Sequence, residues 1–290
     1  MQKSEILLPI EQLSLFGFAD YFNIFSNLYH DNRLPNSILL NGPKGSGKST
    51  FAYHFINYLL SLNEENKYSL TNFTINPNNK SYKLLRDNTH SNFFLLEGNS
   101  SDENVKIEKV RSLLNFLSKS TYLSDLKIVL IDNAELLNLN SSNALLKAIE
   151  EPQKNTFFLL IHNSYSKILN TLRSRCIDFR ISFNTQQKKD IFKNIILYYK
   201  NNFSQKYIDE AFYFDTPGNL LKYLLILEES KISISEDKIS IILCLIEKIK
   251  TKKDSELFTF VSFFIELFYN DLIKKNNANL INLLENKNKI

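Results

Sequence analysis

The sequence predicts an α/β fold, in which a parallel β-sheet is covered by helices on both faces and is followed by a region made only of helices. Over about the first 180 residues, short continuous apolar runs alternate with segments whose apolar residues recur at helical spacing. Continuous apolar strands are typical of a parallel sheet that is buried on both faces. After Asn184 the strand-like runs disappear, and helical periodicity dominates the rest of the sequence.

Five apolar runs of strand length predict the strands of this sheet. In chain order they are Ser37–Asn41, Asn92–Leu96, Lys127–Ile131, Thr156–Ile161 and Ile177–Phe183. Because each of the first four is followed by a polar or helical segment, the chain has room for the crossovers that parallel strands need.

Helices are predicted between the strands. Ser49–Leu60 and Val110–Leu117 both show apolar residues at helical spacing. Ser142–Glu151 is a third helix, and it ends there because proline, here Pro152, disfavours helical backbone in the residue before it. Leu62–Ser91 is largely polar, with clusters of Asn and Ser, and predicts a loop or an irregular insertion.

The helical half predicts two small units. The first consists of residues 186–200, 205–214 and 219–229, with a strong turn signal at Pro217-Gly218. The second consists of residues 236–250, 254–270 and 279–286.

The composition favours a globular protein of a reducing compartment. Hydrophobic residues make up 43% and charged residues 23%, which is ordinary for a soluble domain. The two cysteines, Cys176 and Cys244, cannot make a disulfide framework. Because neither a signal-peptide pattern nor a run of about 18 apolar residues is present, we expect a cytoplasmic protein with no membrane partner. The net charge of +4 indicates nucleic-acid binding only weakly.

A glycine-rich loop between the first predicted strand and helix matches the pattern G-x-x-x-x-G-K-[ST] in full. Glycines let backbone N–H groups curl around phosphate oxygens, and the helix start adds partial positive charge. Lys48 is placed to reach the β- and γ-phosphates, and the Ser49 hydroxyl to hold Mg²⁺. The predicted cofactors are therefore ATP and Mg²⁺. The residues predicted to bind them are Gly42, Pro43, Lys44, Gly45, Ser46, Gly47, Lys48, Ser49 and Thr50.

An acidic residue, Asp132, stands at the end of the third predicted strand. The carboxyl ends of parallel strands are where ligands bind, and an acid there orients magnesium. The alternative is that Asp132 or Asn133 only caps a helix over Ala134–Leu139. We favour the magnesium role because the phosphate-binding loop lies upstream.

The segment Thr171–Cys176 contains two arginines, Arg173 and Arg175, just before the last strand. An exposed arginine at a subunit edge can stabilise the charge on a phosphoryl group that a neighbouring subunit transfers. From the spacing alone, two surface arginines and a small buried cysteine are the simpler interpretation.

Several segments resemble the clamp-loader ATPases of the AAA+ class. Ser141–Pro152 resembles their S-x-N-A-L-L-K-x-L-E-E-P box, and Ser174-Arg175-Cys176 matches their S-R-C motif. Arg33-Leu34-Pro35 is similar to the R-[LI]-P-H-A segment that precedes their first strand. Leu169–Cys176 and Val105–Asp132 are especially similar to the delta-prime subunits of bacterial DNA polymerase III.

The resemblance implies a function. Delta-prime subunits are the stator of a hetero-pentamer with gamma/tau and delta subunits, which uses ATP to load a sliding clamp onto primed DNA during replication. By this resemblance Arg175 is a trans arginine finger for ATP on the adjacent gamma/tau subunit. Ser49 and Asp132 are then the magnesium residues, and Asn163 is the polar sensor after the fourth strand, with His162 as the competing candidate.

The resemblance also implies a domain organisation. Residues 1–184 are expected to form the AAA+ nucleotide-binding domain, residues 185–232 a helical lid and residues 233–290 a C-terminal helical collar domain that serves oligomerisation. Pro217–Leu220 resembles the G-x-P-G-x-A-L turn of such lids.

The sequence departs from the active ATPases of this class at three points. The residue after Asp132 is Asn133, where many of them carry the glutamate that activates water, and a neutral amide cannot accept that proton. The lid has no arginine after Pro217. No cysteine occurs before Cys176, so the four-cysteine zinc module of many clamp-loader subunits is excluded and no zinc is expected. We therefore expect the chain's own ATPase activity to be weak or absent.

Two other functions remain open at this point. The complete phosphate-binding loop is compatible with a gamma-like clamp-loader motor or another autonomous AAA+ ATPase. A nucleic-acid-binding module is supported only by the charge, because the lysines occur throughout the chain and form no basic stripe.

Overall fold

The computed structural model describes residues 7–98, 105–119, 126–199, 215–229, 238–251, 258, 260–266 and 268–269. The chain divides into two compact units between Gln187 and Lys188. The helices predicted at residues 205–214 and 279–286 lie outside the described residues. The division into three domains stays a prediction.

The first unit contains a five-stranded sheet in which every pair of neighbouring strands is parallel. Its order is β2-β3-β4-β1-β5. The strands are β1 Ser37–Gly42, β2 Phe93–Glu97, β3 Lys127–Asp132, β4 Thr156–Asn163 and β5 Ile177–Arg180. The predicted class, α/β with a parallel sheet, is therefore confirmed.

Helices cover both faces of this sheet. They are α1 Ala19–His30, α2 Lys48–Leu60, α3 Lys80–Arg86, α4 Ile107–Ser118, α5 Leu139–Glu150 and α6 Asn170–Arg173, and a 3₁₀ turn spans Ala134–Leu136. Alternate strand residues enter two separate cores, because successive side chains of a strand point to opposite faces. Ile38 and Leu40 of β1 pack with α1, α2 and α3 on what we call the α2 face. Leu39 packs with α4, α5 and α6 on the α5 face.

Two elements are not predicted from the sequence. The first is α1, which buries Phe22 and Phe25 against α2. The second is α3, which lies inside the segment predicted as a loop or irregular insertion, so that part of the prediction is wrong. Asn79 caps α3 by accepting a hydrogen bond from the Tyr82 N–H at 2.6 Å. With only seven residues and two apolar anchors, this helix is stabilised by its cap and its packing rather than by a long periodic pattern.

Several boundaries differ from the predictions, most of them by one or two residues. The last strand ends at Arg180 rather than at Phe183, and the fourth runs on to Asn163. Helix α5 begins at Leu139, three residues earlier than predicted, because the side chain of Asn138 accepts the Ser141 N–H at 2.9 Å and so caps the first turn.

The second unit is helical in its described part. Helix α7 spans Thr185–Tyr199, so that the division between the units falls in its first turn, and α8 Pro217–Glu229 and α9 Lys238–Thr251 follow. Pro217 opens α8 instead of forming a turn before it, which is a favoured position because its missing N–H would have no partner there. Phe192 and Phe260 are fully buried in the apolar core of this unit.

Candidate nucleotide-binding site

The glycine-rich loop joins β1 to α2, in the position that its pattern predicts. Gly45 and Gly47 have φ angles of 79° and 92°, a region that residues with a side chain rarely adopt. A Cβ atom on Gly42 would lie 2.5 Å from the Ile181 carbonyl oxygen, and one on Gly47 would lie 3.0 Å from the Phe18 ring. The backbone path of the loop therefore requires glycine at these positions.

Lys48 lies at the base of this loop. Its ammonium donates hydrogen bonds to the carbonyl oxygens of Gly42, at 2.8 Å, and Pro43, at 2.7 Å. Burial lowers the pKa of Lys48 to about 8, and the carboxylates of Glu135 and Asp132 oppose that shift. The side chain is thus predominantly charged at neutral pH and is fixed against the loop that it serves.

The hydroxyl of Ser46 is buried in the same loop and has no hydrogen-bond partner among the described residues. An unpaired buried hydroxyl is unfavourable unless a ligand or water completes it. A phosphate oxygen would accept that hydroxyl proton, so this part of the loop fits the phosphates of a nucleotide.

Asp132 and Ser49 come together at the carboxyl end of β3. The Ser49 hydroxyl donates to Asp132 Oδ2 at 3.3 Å, and the Asn133 N–H donates to Asp132 Oδ1 at 2.9 Å. Burial raises the pKa of Asp132, and these two hydrogen bonds oppose the shift. A hydroxyl beside a carboxylate is a donor set that fits Mg²⁺ next to the phosphates of ATP. Asn133, which precedes the 3₁₀ turn, makes no side-chain capping bond.

The position after Asp132 holds Asn133 in a left-handed conformation with φ 57°, which asparagine tolerates better than most residues. The nearby acid, Glu135, is turned toward the end of β4. Its Oε2 lies 3.3 Å from His162 Nδ1 and accepts the Asn163 N–H at 3.3 Å. The carboxylate of Glu135 is therefore oriented toward the end of β4.

The strand pattern separates the two candidates for the polar sensor. Asn163 lies two residues after Ile161 in β4 and therefore points to the same face of the sheet, the α2 face. Asp132 points to this face as well, since it contacts Ser49 of α2. His162 follows Leu160 by two residues and lies on the α5 face. The Asn163 side chain donates to the Ser166 hydroxyl at 3.3 Å. Asn163 therefore shares its sheet face with the loop lysine and Asp132, and His162 does not.

The two arginines of the S-R-C segment have different partners. Arg175 Nε donates to Glu150 Oε2 at 2.9 Å, and Arg175 Nη1 donates to the Thr171 carbonyl oxygen at 2.9 Å. Arg173 instead forms an ion pair with Asp178 at 2.6 Å. Arg175 stays partly exposed, and its two hydrogen bonds tie it to α5 and α6. Its tether to Glu150, 25 positions earlier in the chain, has no sequence signal, because the contact depends on how α5 and α6 pack.

An aromatic cluster that the sequence does not predict packs beside the loop. The Phe18 ring stacks on Phe51 of α2 with ring centres 5.1 Å apart, and it meets the edge of Phe183 at 5.2 Å. The Tyr21 hydroxyl donates to the Ser182 carbonyl oxygen at 3.2 Å. This cluster fixes α1 and the segment after β5 against the start of α2.

A sequence model of the family described as DNA polymerase III, delta subunit, matches residues 18–185. That match covers more than half of the chain and includes the loop, Asp132 and the S-R-C segment. The chain belongs to this family.

The curated relatives agree with this DNA polymerase III family. The delta-prime subunit of Pseudomonas aeruginosa is 34% identical over 142 residues, which is 49% of this chain and 42% of the relative. The delta-prime subunit of Buchnera aphidicola subsp. Baizongia pistaciae is 31% identical over 56% of this chain and 48% of its own length. A gamma subunit from Buchnera aphidicola subsp. Schizaphis graminum is 36% identical over 35% of this chain and 28% of that subunit.

The matched region thus spans less than half of each of these polymerase subunits. The predicted resemblance to delta-prime subunits is confirmed. Within the described part of the chain, no helix is long and apolar enough to cross a membrane.

Proposed function

We propose that this chain acts as a delta-prime subunit in the clamp loader of DNA polymerase III, as the stator of a hetero-pentamer with gamma/tau and delta subunits. In that role it supports ATP-driven loading of the sliding clamp onto primed DNA. The main support for the proposal is the geometry of Arg175. Its side chain is partly exposed, and two of its nitrogens donate hydrogen bonds to Glu150 and to the Thr171 carbonyl oxygen.

This tether suits an arginine that acts on a neighbour. The bonds to Glu150 and Thr171 use Nε and Nη1, and they leave Nη2 without a partner among the described residues. A guanidinium whose orientation is fixed before assembly loses less conformational freedom when it meets a phosphate. We therefore assign Arg175 to the γ-phosphate of ATP on the adjacent gamma/tau subunit, where it would stabilise the developing charge.

The chain's own loop fits ATP and Mg²⁺, with Lys48 on the phosphates and Ser49 and Asp132 on the metal. When bound, ATP would supply the phosphoryl group. The residues around it are poorly suited to hydrolysis, because Asn133 cannot accept a proton and the Glu135 carboxylate is held by His162 and the Asn163 N–H. Slow or absent turnover by the isolated chain follows.

The experiment that tests the stator role is ATP turnover by the reconstituted complex with Arg175→Ala, at saturating clamp and primed DNA. We expect turnover to fall about 10³-fold or more at the site that receives Arg175. Arg175→Lys is expected to fall nearly as far, because an ammonium cannot reproduce the planar fork. Arg173→Ala is the matched control, since Arg173 lies two residues away and is paired with Asp178. Unchanged turnover in the Arg175→Ala complex would refute the assignment.

A second function, an autonomous gamma-like ATPase, is supported by one observation, the contact of Ser49 with Asp132 next to an intact loop. Robust ATP turnover by the isolated chain that is lost in Lys48→Ala would establish it. If the isolated chain shows no detectable ATP turnover, and Arg175→Ala still lowers turnover by the complex, the stator role is the function that remains.

A further inference from the structure

The guanidinium of Arg175 is held between two helices of the first unit. The Thr171 carbonyl oxygen of α6 accepts from Nη1 at 2.9 Å, and the Glu150 carboxylate of α5 accepts from Nε at 2.9 Å. Thr171 lies four positions before Arg175, so the first bond depends on the local turn. Glu150 lies 25 positions before it, so the second bond depends on how α5 packs. Glu150 is thus the side chain through which α5 sets the direction of the guanidinium.

The backbone on both sides of this contact is fixed. Glu150 is the last residue of α5, and the preceding residue, Ile149, is 2% exposed. The Ile149 carbonyl oxygen accepts from the Ser37 hydroxyl at 3.0 Å, which ties the end of α5 to β1. On the other side, the Arg175 N–H donates at 3.2 Å to the carbonyl oxygen of Leu172, which is fully buried. The freedom that remains is therefore that of the two long side chains, and their contact restricts it.

The strength of this contact indicates whether it orients the arginine or withholds it. The Arg175 side chain is 30% exposed and that of Glu150 is 57% exposed. An ion pair this exposed changes an equilibrium by a factor of at most about five. An arginine finger raises the rate of phosphoryl transfer by about 10³- to 10⁵-fold. The pair with Glu150 is too weak to keep Arg175 from a phosphate, but it is strong enough to favour one orientation of the side chain.

We propose that Glu150 is a positioning residue for Arg175, which sets the orientation in which the guanidinium meets the ATP of the adjacent subunit. This role rests on the proposed function of Arg175, and it adds that an acid of α5 contributes to the rate of the complex. The positioning comes from an oxygen that accepts from Nε. The amide oxygen of glutamine can therefore replace the carboxylate, and alanine cannot.

The first test is ATP turnover by the reconstituted complex, at saturating clamp and primed DNA, with Glu150→Ala and with Glu150→Gln. We expect kcat to fall about fivefold in Glu150→Ala with the KM for ATP unchanged, because the arginine acts on the phosphoryl group as it is transferred. Glu150→Gln is expected to stay within about twofold of the natural chain, because it keeps the acceptor. In an Arg175→Ala complex, adding Glu150→Ala is expected to cause no further loss.

The matched control is Glu151→Ala. It removes the adjacent acid, which is also exposed, and it changes the net charge equally. We expect this variant to turn over ATP like the natural chain.

The second test measures the Arg175 side chain in the full chain without its partners. Nitrogen relaxation of the arginine Nε–H groups by NMR reports their order, and the Arg175 signal is identified by its loss in Arg175→Lys. We expect this group to be ordered in the natural chain and in Glu150→Gln, and its order parameter to fall below about 0.6 in Glu150→Ala.

The outcomes separate this role from the function on which it rests. If Arg175→Ala lowers turnover and Glu150→Ala does not, or if Glu151→Ala loses as much as Glu150→Ala, the positioning role is overturned and the proposed function stands. A rise of kcat in Glu150→Ala, a loss in Glu150→Gln as large as in Glu150→Ala, or equal Nε–H order in all three chains would overturn it as well. Unchanged turnover in Arg175→Ala would overturn the proposed function and this role together.

Discussion

His54 is a fully buried histidine of α2 whose two ring nitrogens both have partners. Its Nε2 lies 3.0 Å from the Gln12 carbonyl oxygen, and its Nδ1 lies 3.0 Å from the Tyr68 hydroxyl. Because a carbonyl oxygen only accepts, Nε2 carries the proton and Nδ1 accepts from Tyr68. Protonation of Nδ1 would force the Tyr68 hydroxyl to accept instead of donate and would bury a positive charge in an apolar setting, so the fold favours the neutral ring.

Burial lowers the pKa of His54 from 6.5 to about 4, and the hydrogen bond to Gln12 opposes part of the shift. The unfolded chain therefore binds more protons than the folded chain between these two pH values, and stability falls as the pH falls through that window. The lowered pKa of His54 therefore adds to the free energy of unfolding, fully above pH 6.5 and by ~3 kcal/mol. Between pH 7 and pH 5 the loss is about 2 kcal/mol.

The assay is urea unfolding followed by circular dichroism at pH 7 and pH 5, for the natural chain and for His54→Gln, which keeps a donor and an acceptor but does not titrate. The variant is less stable at pH 7 because its amide fits the site less well. The difference in free energy of unfolding between the natural chain and the variant is expected to be about 2 kcal/mol smaller at pH 5, because only the natural chain loses the histidine contribution. A stability difference that is the same at both pH values would refute the reasoning.

Two other predictions concern single positions. Gly47→Ala is expected to destabilise the chain by about 1–2 kcal/mol, because φ is 92° there and the new Cβ meets the Phe18 ring at 3.0 Å. Thermal unfolding measures this loss. Gly98→Ala is the control, because its Cβ would meet only the movable end of the Leu136 side chain. An equal loss of stability in both variants would contradict the strain argument. Lys127→Met is expected to cost about 1–3 kcal/mol, because the buried ammonium donates to the carbonyl oxygens of Phe116, Leu117 and Lys119 at the end of α4. Urea unfolding measures this loss, and an unchanged midpoint would show that water satisfies those carbonyls equally well.

The parallel sheet and the phosphate-binding loop follow closely from the sequence. Buried strands such as β3 and β4 are continuous apolar runs, and the loop pattern is set by local backbone geometry at Gly45 and Gly47. Asp132 is predicted for a similar reason, since the carboxyl end of a parallel strand is a fixed position in such a sheet. Each of these signals is carried by neighbouring residues in the chain.

The missed elements and contacts lack such local signals. Helix α3 depends on the Asn79 cap and on packing against α2, and its seven residues give too little periodicity to detect among the polar residues around it. The partner of Arg175 depends on where Glu150 of α5 meets the segment after α6. Neither contact can be derived from the spacing of residues along the chain.

The sequence by itself determined the α/β class, the loop that fits a nucleotide and the resemblance to delta-prime subunits, because strand hydrophobicity and loop geometry are local properties. Only the tertiary structure decided that Asn163, rather than His162, shares the face of Lys48, and that Glu135 turns toward β4. The physical reason is that strand alternation and strand order assign each side chain to a face of the sheet and to its neighbours there, and neither is encoded by residue type alone.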